Sequence, residues 1–259
     1  MAAELQQSRA GQTLVLTIAN PDHRNALGPE IYAAGLHAVS AASEDTGIRS
    51  VVIVGAGSVF SAGGNLQRLL ANRSQAPQVQ ADSIEAMHRW IRTIRSCPKP
   101  VIAAVEGAAA GAGFSLALAC DFVVAADDAV FVMAYSNIAL SPDGGASWSL
   151  TRALPSQLVN ELLMCGSRLD AQRLQGLGVV NRVVPSGSAL NEALALAQQL
   201  NARAPNVLAS IKGLTQLAVQ QPLAPQLDAE RDQFVQNLHH ANAGIGIQAF
   251  LAKTKPVFD

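Results

Sequence analysis

The sequence predicts an α/β fold with parallel strands, and three observations support this prediction. Short runs of β-branched residues, bounded by turn formers, recur in the first half of the chain. Segments with the apolar spacing of helices lie between these runs, and such alternation is typical of a parallel sheet. With 259 residues, 49% hydrophobic and only 14% charged, the chain is long and apolar enough for one large core.

Predicted strands and helices alternate over the first half of the chain. The strands are residues 13–18, 51–54, 101–105 and 122–125, and the helices are residues 29–43, 83–95 and 111–119. After about Ser141 the pattern changes, and the remainder is predicted to be almost entirely helical, in segments 146–153, 155–165, 170–175, 188–202, 205–219, 225–240 and 244–253. We therefore expect a core in residues 1–187 and a helical C-terminal region in residues 188–259.

Charge and cysteine content exclude several classes of function. The formal net charge is −1, so no overall field attracts nucleic acid or an anionic membrane. Three cysteines without CxxC spacing predict neither a zinc site nor a disulfide framework, and no dinucleotide fingerprint is present. Residues 1–10 lack the apolar run of a signal peptide, and the apolar stretch 107–120 is too short to cross a bilayer. We expect a cytoplasmic protein without a metal or redox cofactor.

Two turns rich in glycine and alanine each follow a predicted buried strand. The first glycine-rich turn is VFSAGGNL, residues 59–66, and the second is GAAAGAGF, residues 107–114, which leads into a helix. Small side chains let a ligand approach the main chain, and a helix start presents unpaired N–H groups. Facing each other, the turns could offer two N–H donors to one oxygen, which is the arrangement that stabilises an enolate or oxyanion. Either turn alone is better explained by close packing of a helix on a strand.

Five segments in order resemble the signature regions of the crotonase (enoyl-CoA hydratase/isomerase) superfamily. They are PDHRNAL (21–27), VFSAGGNL, KPVIAAVEGAAAGAGFSLALACD (99–121), IALSPDGGASWSL (138–150) and AFLAKTKPVF (249–258). The resemblance implies a crotonase-like spiral core of repeated ββα units and a helical C-terminal region that forms trimers. It also implies an acyl-CoA thioester as the substrate and a homotrimer or dimer of trimers as the assembly.

The resemblance assigns roles to residues by position. The oxyanion hole would be the backbone N–H groups of Gly64 and Ala112; relatives usually have glycine at the second position, but alanine keeps the N–H. The resemblance also implies a set of CoA-binding residues: Arg24, Ala26, Leu27, Ala62 and, from the C-terminal segment or a neighbouring subunit, Phe250 and Lys253. Arg24 could equally be a solvated charge and Phe250 ordinary core.

The superfamily supports several chemistries, so the reaction depends on the residues of the site. Enoyl-CoA hydratases use two glutamates to activate water, and the matching positions here hold Ser115 and Tyr135. Neither side chain is a general base near neutral pH, so hydration by that route is not expected. Asp143 matches the proton-transfer base of the isomerase members. An acyl-CoA isomerase that shifts a double bond or opens a ring is therefore predicted, with Tyr135 lining the pocket and few other polar groups beside Asp143.

Several alternatives remain open from the sequence. Asp143 could be only the N-cap of the following helix, since SPDGG is good capping and turn chemistry. In dehalogenases of the superfamily this aspartate is a nucleophile assisted by a tryptophan and a histidine; here the positions hold Tyr135 and His88, and we expect His88 to be a structural residue on a helix. Hydration by an altered route and a non-catalytic acyl-CoA-binding protein also remain. Asn65, where the family commonly has aspartate, is expected to brace its loop.

Overall fold

A computed structural model describes residues 3–258 and builds nine strands and eleven helices from them. The strands are β1 (Glu4–Ala10), β2 (Thr13–Ala19), β3 (Ser50–Gly55), β4 (Val101–Val105), β5 (Ala108–Ala110), β6 (Phe122–Ala126), β7 (Val130–Val132), β8 (Arg168–Asp170) and β9 (Arg182–Val184). The helices are α1 (Pro29–Glu44), α2 (Leu66–Asn72), α3 (Pro77–Ser96), α4 (Ala112–Ala119), α5 (Ala146–Ala153), α6 (Ser156–Met164), α7 (Ala171–Gly176), α8 (Ala189–Asn201), α9 (Pro205–Ala218), α10 (Leu223–Leu238) and α11 (Ala241–Ala252).

A six-stranded sheet forms the centre of the molecule, in the order β1-β2-β3-β4-β6-β9. The hairpin between β1 and β2 is antiparallel, and every other pairing in this sheet is parallel. Alternate residues of β2, β3 and β4 face opposite sides, as a strand requires. One side packs against α1, α3 and α4, and the other packs against α8. The central strands are buried on both faces, and for this reason their sequences are uninterrupted apolar runs.

A second layer of short pairings runs beside the large sheet. It contains the sheet β5-β7-β8 and two isolated parallel bridges, Leu27 with Gly64 and Ser61 with Ala109. After β2, β3, β4 and β6 the chain therefore makes a second short extended segment, and after the first three of these it enters a helix. This is the repeated ββα spiral that the resemblance implied, and the predicted α/β fold is confirmed.

The prediction of an almost entirely helical second half is wrong at two places. β8 and β9 lie in that region, and β9 completes the large sheet by pairing with β6. Each has only three residues, too few to show a period in the sequence. Two further elements were not predicted: β1, whose residues are mostly exposed and polar, and α2, which follows the first glycine-rich turn.

The helices after residue 187 divide into two groups. The apolar side of α8 covers one face of the large sheet, so this helix contributes to the core. In contrast, α9 has no buried residue, and α10 and α11 together bury only Gln226, Asn242 and Ala249. The division at 187/188 stays a prediction. Among the described residues, no helix combines the length and apolar character needed to span a membrane.

Candidate active site

The two glycine-rich turns lie side by side. Ser61 donates its N–H to Ala108 O over 3.0 Å, and Ala110 donates its N–H to Ser61 O over 2.9 Å. Gly63 has a φ of +90°, and a Cβ atom placed on it would lie 2.6 Å from Ala110 O and 3.2 Å from Ala112 N. Only glycine fits this contact, so the spacing between the turns depends on Gly63.

The backbone donors proposed for the oxyanion hole are both available. Ala112 is the first residue of α4, where an N–H has no partner inside the helix. Within residues 3–258, neither the Ala112 N–H nor the Gly64 N–H donates to a protein acceptor. The positive end of the α4 dipole adds to the attraction for a partial negative charge at this point. The arrangement can therefore accept an oxygen from a ligand.

Four of the predicted CoA-binding residues lie together beside the first turn. Leu27 donates its N–H to Gly63 O over 2.7 Å, and Ala62 donates its N–H to Arg24 O over 3.0 Å. Ala26 and Leu27 are buried, Ala62 is half-buried, and Arg24 is exposed in a left-handed conformation with φ +51°. The segment 24–27 thus forms one edge of the first turn, with the Arg24 side chain directed to solvent.

Phe250 and Lys253 stand apart from this group. Both lie at the exposed end of α11, where Phe250 is 83% exposed. Among the described residues, no hydrogen bond or ion pair joins α11 to the glycine-rich turns. Their assignment to CoA therefore depends on a neighbouring subunit and stays a prediction.

Asp143 and Tyr135 form a hydrogen-bonded pair near the start of α4. The Tyr135 hydroxyl donates to Asp143 Oδ1 over 2.5 Å. The Tyr135 ring lies 3.6 Å from the position of a Cβ on Gly111, the residue that caps α4. Burial, reinforced by the Asp143 carboxylate, raises the pKa of the Tyr135 phenol above its usual range. The phenol is therefore a neutral donor that holds one carboxylate oxygen and leaves the other available.

The loop that carries Asp143 is anchored at its main chain. Ser115 donates its hydroxyl to Asp143 O over 3.1 Å. The next residue, Gly144, has a φ of +61°, and a Cβ there would lie 2.7 Å from Met87 Cε and 2.8 Å from Ser115 Cβ. Ser115, at the position of a hydratase glutamate, is thus buried and used for anchoring.

The helix-cap alternative for Asp143 is wrong. Helix α5 begins at Ala146, its N-cap is Gly145, and this cap makes no side-chain hydrogen bond. The Asp143 carboxylate instead accepts a hydrogen bond from the Tyr135 hydroxyl.

His88 contacts the same loop. It lies on α3, as predicted, and its Nε2 accepts a hydrogen bond from the Gly144 N–H over 3.3 Å. Acceptance at Nε2 places the ring proton on Nδ1, which lies 4.0 Å from Glu85 Oε2. His88 therefore supports the Asp143 loop at Gly144, while Ser115 supports it at Asp143.

Asn65 braces its loop, as predicted. Its side chain accepts a hydrogen bond from Arg68 N over 3.0 Å and caps α2.

The expectation of few polar groups beside Asp143 is wrong. Besides Tyr135, Ser115 and His88, the neighbourhood includes Tyr32 on α1 and Arg68 on α2. Burial raises the pKa of Tyr32 to about 12, while the charge of Arg68 lowers it and the charge of Asp143 raises it. The helices α1, α2 and α3 bring these residues together from distant parts of the chain, which no local motif reveals.

Comparisons with known proteins define the class. The family model described as enoyl-CoA hydratase/isomerase matches residues 9–259. The chain belongs to this family, within the crotonase superfamily. A solved structure of an enoyl-CoA hydratase from Polaromonas sp. JS666 is 64% identical with a TM-score of 0.98, over 99% of this chain and 100% of that chain.

The names of two curated relatives indicate that they catalyse different reactions. A carnitinyl-CoA dehydratase of Salmonella enteritidis PT4 is 35% identical over 100% of this chain and 99% of its own length. A 1,2-epoxyphenylacetyl-CoA isomerase of Escherichia coli K12 is 34% identical over 95% and 94% of the two lengths. The family to which the chain belongs therefore includes both dehydratases and isomerases.

Proposed function

We propose that this protein is an acyl-CoA isomerase that moves a double bond or opens a ring through a thioester enolate. The observation that carries the proposal is the Tyr135–Asp143 hydrogen bond of 2.5 Å beside the start of α4. It leaves a single oriented carboxylate next to unpaired backbone donors. A proton-transfer base and an oxyanion site are the two groups that such an isomerisation requires.

The proposed steps balance without a cofactor. The thioester oxygen accepts hydrogen bonds from Gly64 N–H and Ala112 N–H. Asp143 removes a proton from a carbon of the acyl group, and the electron pair delocalises to the thioester oxygen as an enolate. The carboxylic acid then returns the same proton to a different carbon or to the oxygen released from an opened ring. The product is an isomer of the substrate.

The relatives support an isomerase and also favour a second candidate. The 34% identical isomerase fits the single-carboxylate site, whereas the carnitinyl-CoA dehydratase suggests elimination or addition of water. In that second candidate, Asp143 would transfer a proton to or from water. The two reactions differ in product mass, because isomerisation leaves mass unchanged and water addition does not.

Substitution Asp143→Asn tests the proposal. It keeps the size of the side chain and removes the base, so proton exchange at the α or γ carbon of a bound enoyl-CoA in heavy water should stop while binding persists. The control is Asp128→Asn, an exposed position between β6 and β7, where exchange should continue. Undiminished exchange in Asp143→Asn rules out Asp143 as the base. Mass spectrometry with isomer-resolving chromatography on a panel of enoyl-CoA thioesters separates isomerisation from hydration.

We further propose that the chain assembles as a homotrimer or a dimer of trimers through its C-terminal helices. These helices expose large apolar side chains, and exposed apolar patches of this kind are typical of interfaces: Leu223, Leu227, Phe234, Phe250 and Leu251. Sedimentation equilibrium of the full chain should give three or six subunits. Phe234→Glu should lower that number, and Glu161→Gln, on the outer side of α6, should not. A monomeric wild type would contradict this assembly.

A further inference from the structure

Arg68 lies at the start of α2, the helix that follows the first glycine-rich turn. Helix α2 begins at Leu66, two residues after Gly64, and the Asn65 side chain fixes its first turn by accepting from Arg68 N over 3.0 Å. Leu69 Cδ1 lies 3.8 Å from the position of a Cβ on Gly64. The start of α2 is therefore joined closely to the proposed oxyanion site.

The guanidinium of Arg68 is only partly satisfied. Its Nη2 donates to Ser83 Oγ on α3 over 2.8 Å. Its Nε is buried and has no hydrogen-bond partner, and within residues 3–258 no carboxylate forms an ion pair with it. A buried donor without a partner costs free energy, and native structures contain few of them without a reason.

The partner of this guanidinium lies on the same helix that contacts the Asp143 loop. Ser83, its partner, is on α3, and about one turn of α3 later Met87 and His88 contact Gly144. Burial raises the pKa of the Tyr32 phenol to about 12, while the charge of Arg68 lowers it and the charge of Asp143 raises it. Helix α3 therefore brings the Arg68 guanidinium and the loop of Asp143 to neighbouring turns.

We propose that Arg68 determines substrate specificity by binding a carboxylate at the far end of the acyl chain. The proposal rests on the proposed function and specifies its substrate class as ω-carboxyacyl-CoA thioesters. Ser83 holds one N–H of Nη2 and so fixes the plane of the guanidinium. The Nε–H and the remaining N–H groups then present the planar fork that binds a carboxylate with two parallel hydrogen bonds. A simple alkyl end would leave the Arg68 Nε–H without a partner.

Binding of paired saturated thioesters tests this proposal without turnover. Succinyl-, glutaryl- and adipoyl-CoA are compared with butanoyl-, pentanoyl- and hexanoyl-CoA by isothermal titration calorimetry. For the chain length that reaches Arg68, wild type should bind the carboxylate member about tenfold or more tightly. Arg68→Met should abolish that preference and leave affinity for the plain acyl member within a few-fold, and Arg68→Lys should give an intermediate preference.

Arg73→Met is the matched control. Arg73 is exposed at the end of the same helix, and this variant should keep the wild-type preference. If Arg68→Met does not fold, as judged by circular dichroism, Arg68→Lys and Ser83→Ala take its place and should each lower the preference.

The outcomes separate the two proposals. No preference for a carboxylate at any length, or an equal loss of affinity for both members of a pair in Arg68→Met, overturns the role of Arg68. The second result would mean that Arg68 contacts the CoA portion. Failure of the isomerase proposal is seen elsewhere, in undiminished proton exchange by Asp143→Asn.

Discussion

The Tyr135 hydroxyl donates a hydrogen bond to Asp143 Oδ1 over 2.5 Å, and the two residues lie in the same connection between β7 and α5. Burial keeps the phenol neutral by raising its pKa, so Tyr135 serves as a donor and not as a base. Its hydrogen bond fixes the direction of the carboxylate, while Ser115 and His88 hold the main chain of the loop at Asp143 and Gly144. Orientation of Asp143 therefore depends on three separate contacts.

Removal of the hydroxyl by Tyr135→Phe should slow proton transfer more than it weakens binding. A hydrogen bond to a charged group contributes about 1.5–3 kcal/mol, so its loss should lower kcat roughly 10- to 100-fold. Binding of a saturated acyl-CoA should change less than about threefold, because Asp143 acts only in the reaction. Steady-state kinetics and calorimetry measure the two effects. Equal losses in kcat and in affinity would show that Tyr135 mainly shapes the pocket.

Ionisation of the two tyrosines should be suppressed in the folded protein. Tyr32 and Tyr135 are the only tyrosines in the chain, and burial raises the pKa of both, that of Tyr32 to about 12. An ordinary tyrosine ionises near a pH of about 10. Ultraviolet absorbance should therefore show little tyrosinate in the native protein at that pH and full ionisation in denaturant.

The same shifts make stability fall at alkaline pH. Above a pH of about 10 the unfolded chain binds fewer protons than the folded chain, so the free energy of unfolding decreases as pH rises towards the folded pKa values. Below that pH the two tyrosines contribute no pH dependence. Urea unfolding as a function of pH measures this, and Tyr135→Phe should weaken the decline. Tyrosinate formation at the ordinary pH in the native protein would show that the phenols are accessible to water.

Gly63→Ala should disrupt the contact between the glycine-rich turns. The added Cβ would lie 2.6 Å from Ala110 O, and φ at this position is +90°. We expect kcat to fall at least about tenfold, because the displacement required is large compared with the tolerance of an oxyanion site. Gly57→Ala separates strain from displacement, since its φ is +72° but nothing lies within 4 Å of the added carbon. Wild-type kcat in Gly63→Ala would mean that the turns are not held at this spacing for catalysis.

Most of the fold could be predicted because its signals are local. The core strands β2, β3, β4 and β6 are apolar runs, and the predicted helices have clear periodicity. The three-residue strands β5, β7, β8 and β9 could not be predicted, since they are too short to show a period and are defined by pairing with distant segments. Strand β1 is polar because it lies at the edge of the sheet.

The residues of the candidate site also fall into two groups, those that the sequence predicts and those that it does not. Gly64, Ala112 and Asp143 follow from motifs that lie within single segments. The contributions of Tyr32, Arg68 and His88 depend on how α1, α2 and α3 pack, and a residue on the inner side of a helix has no distinctive pattern in one sequence. The unpartnered Arg68 Nε in particular is a property of the folded chain alone.

Gly35→Ala should destabilise the protein although alanine is the better helix former. Gly35 lies in α1 against α3, and a Cβ there would be 2.2 Å from Trp90 Cε2, within a fully buried indole. Overpacking of this kind costs about 1–3 kcal/mol, which exceeds the gain of up to about 1 kcal/mol from helix propensity. The free energy of unfolding in urea, measured at fixed protein concentration, should therefore fall. Gly213→Ala in α9 has nothing within 4 Å of the added carbon and should raise it by about 0.5–1 kcal/mol. An increase in both variants would show that α1 and α3 can separate enough to accept the methyl group.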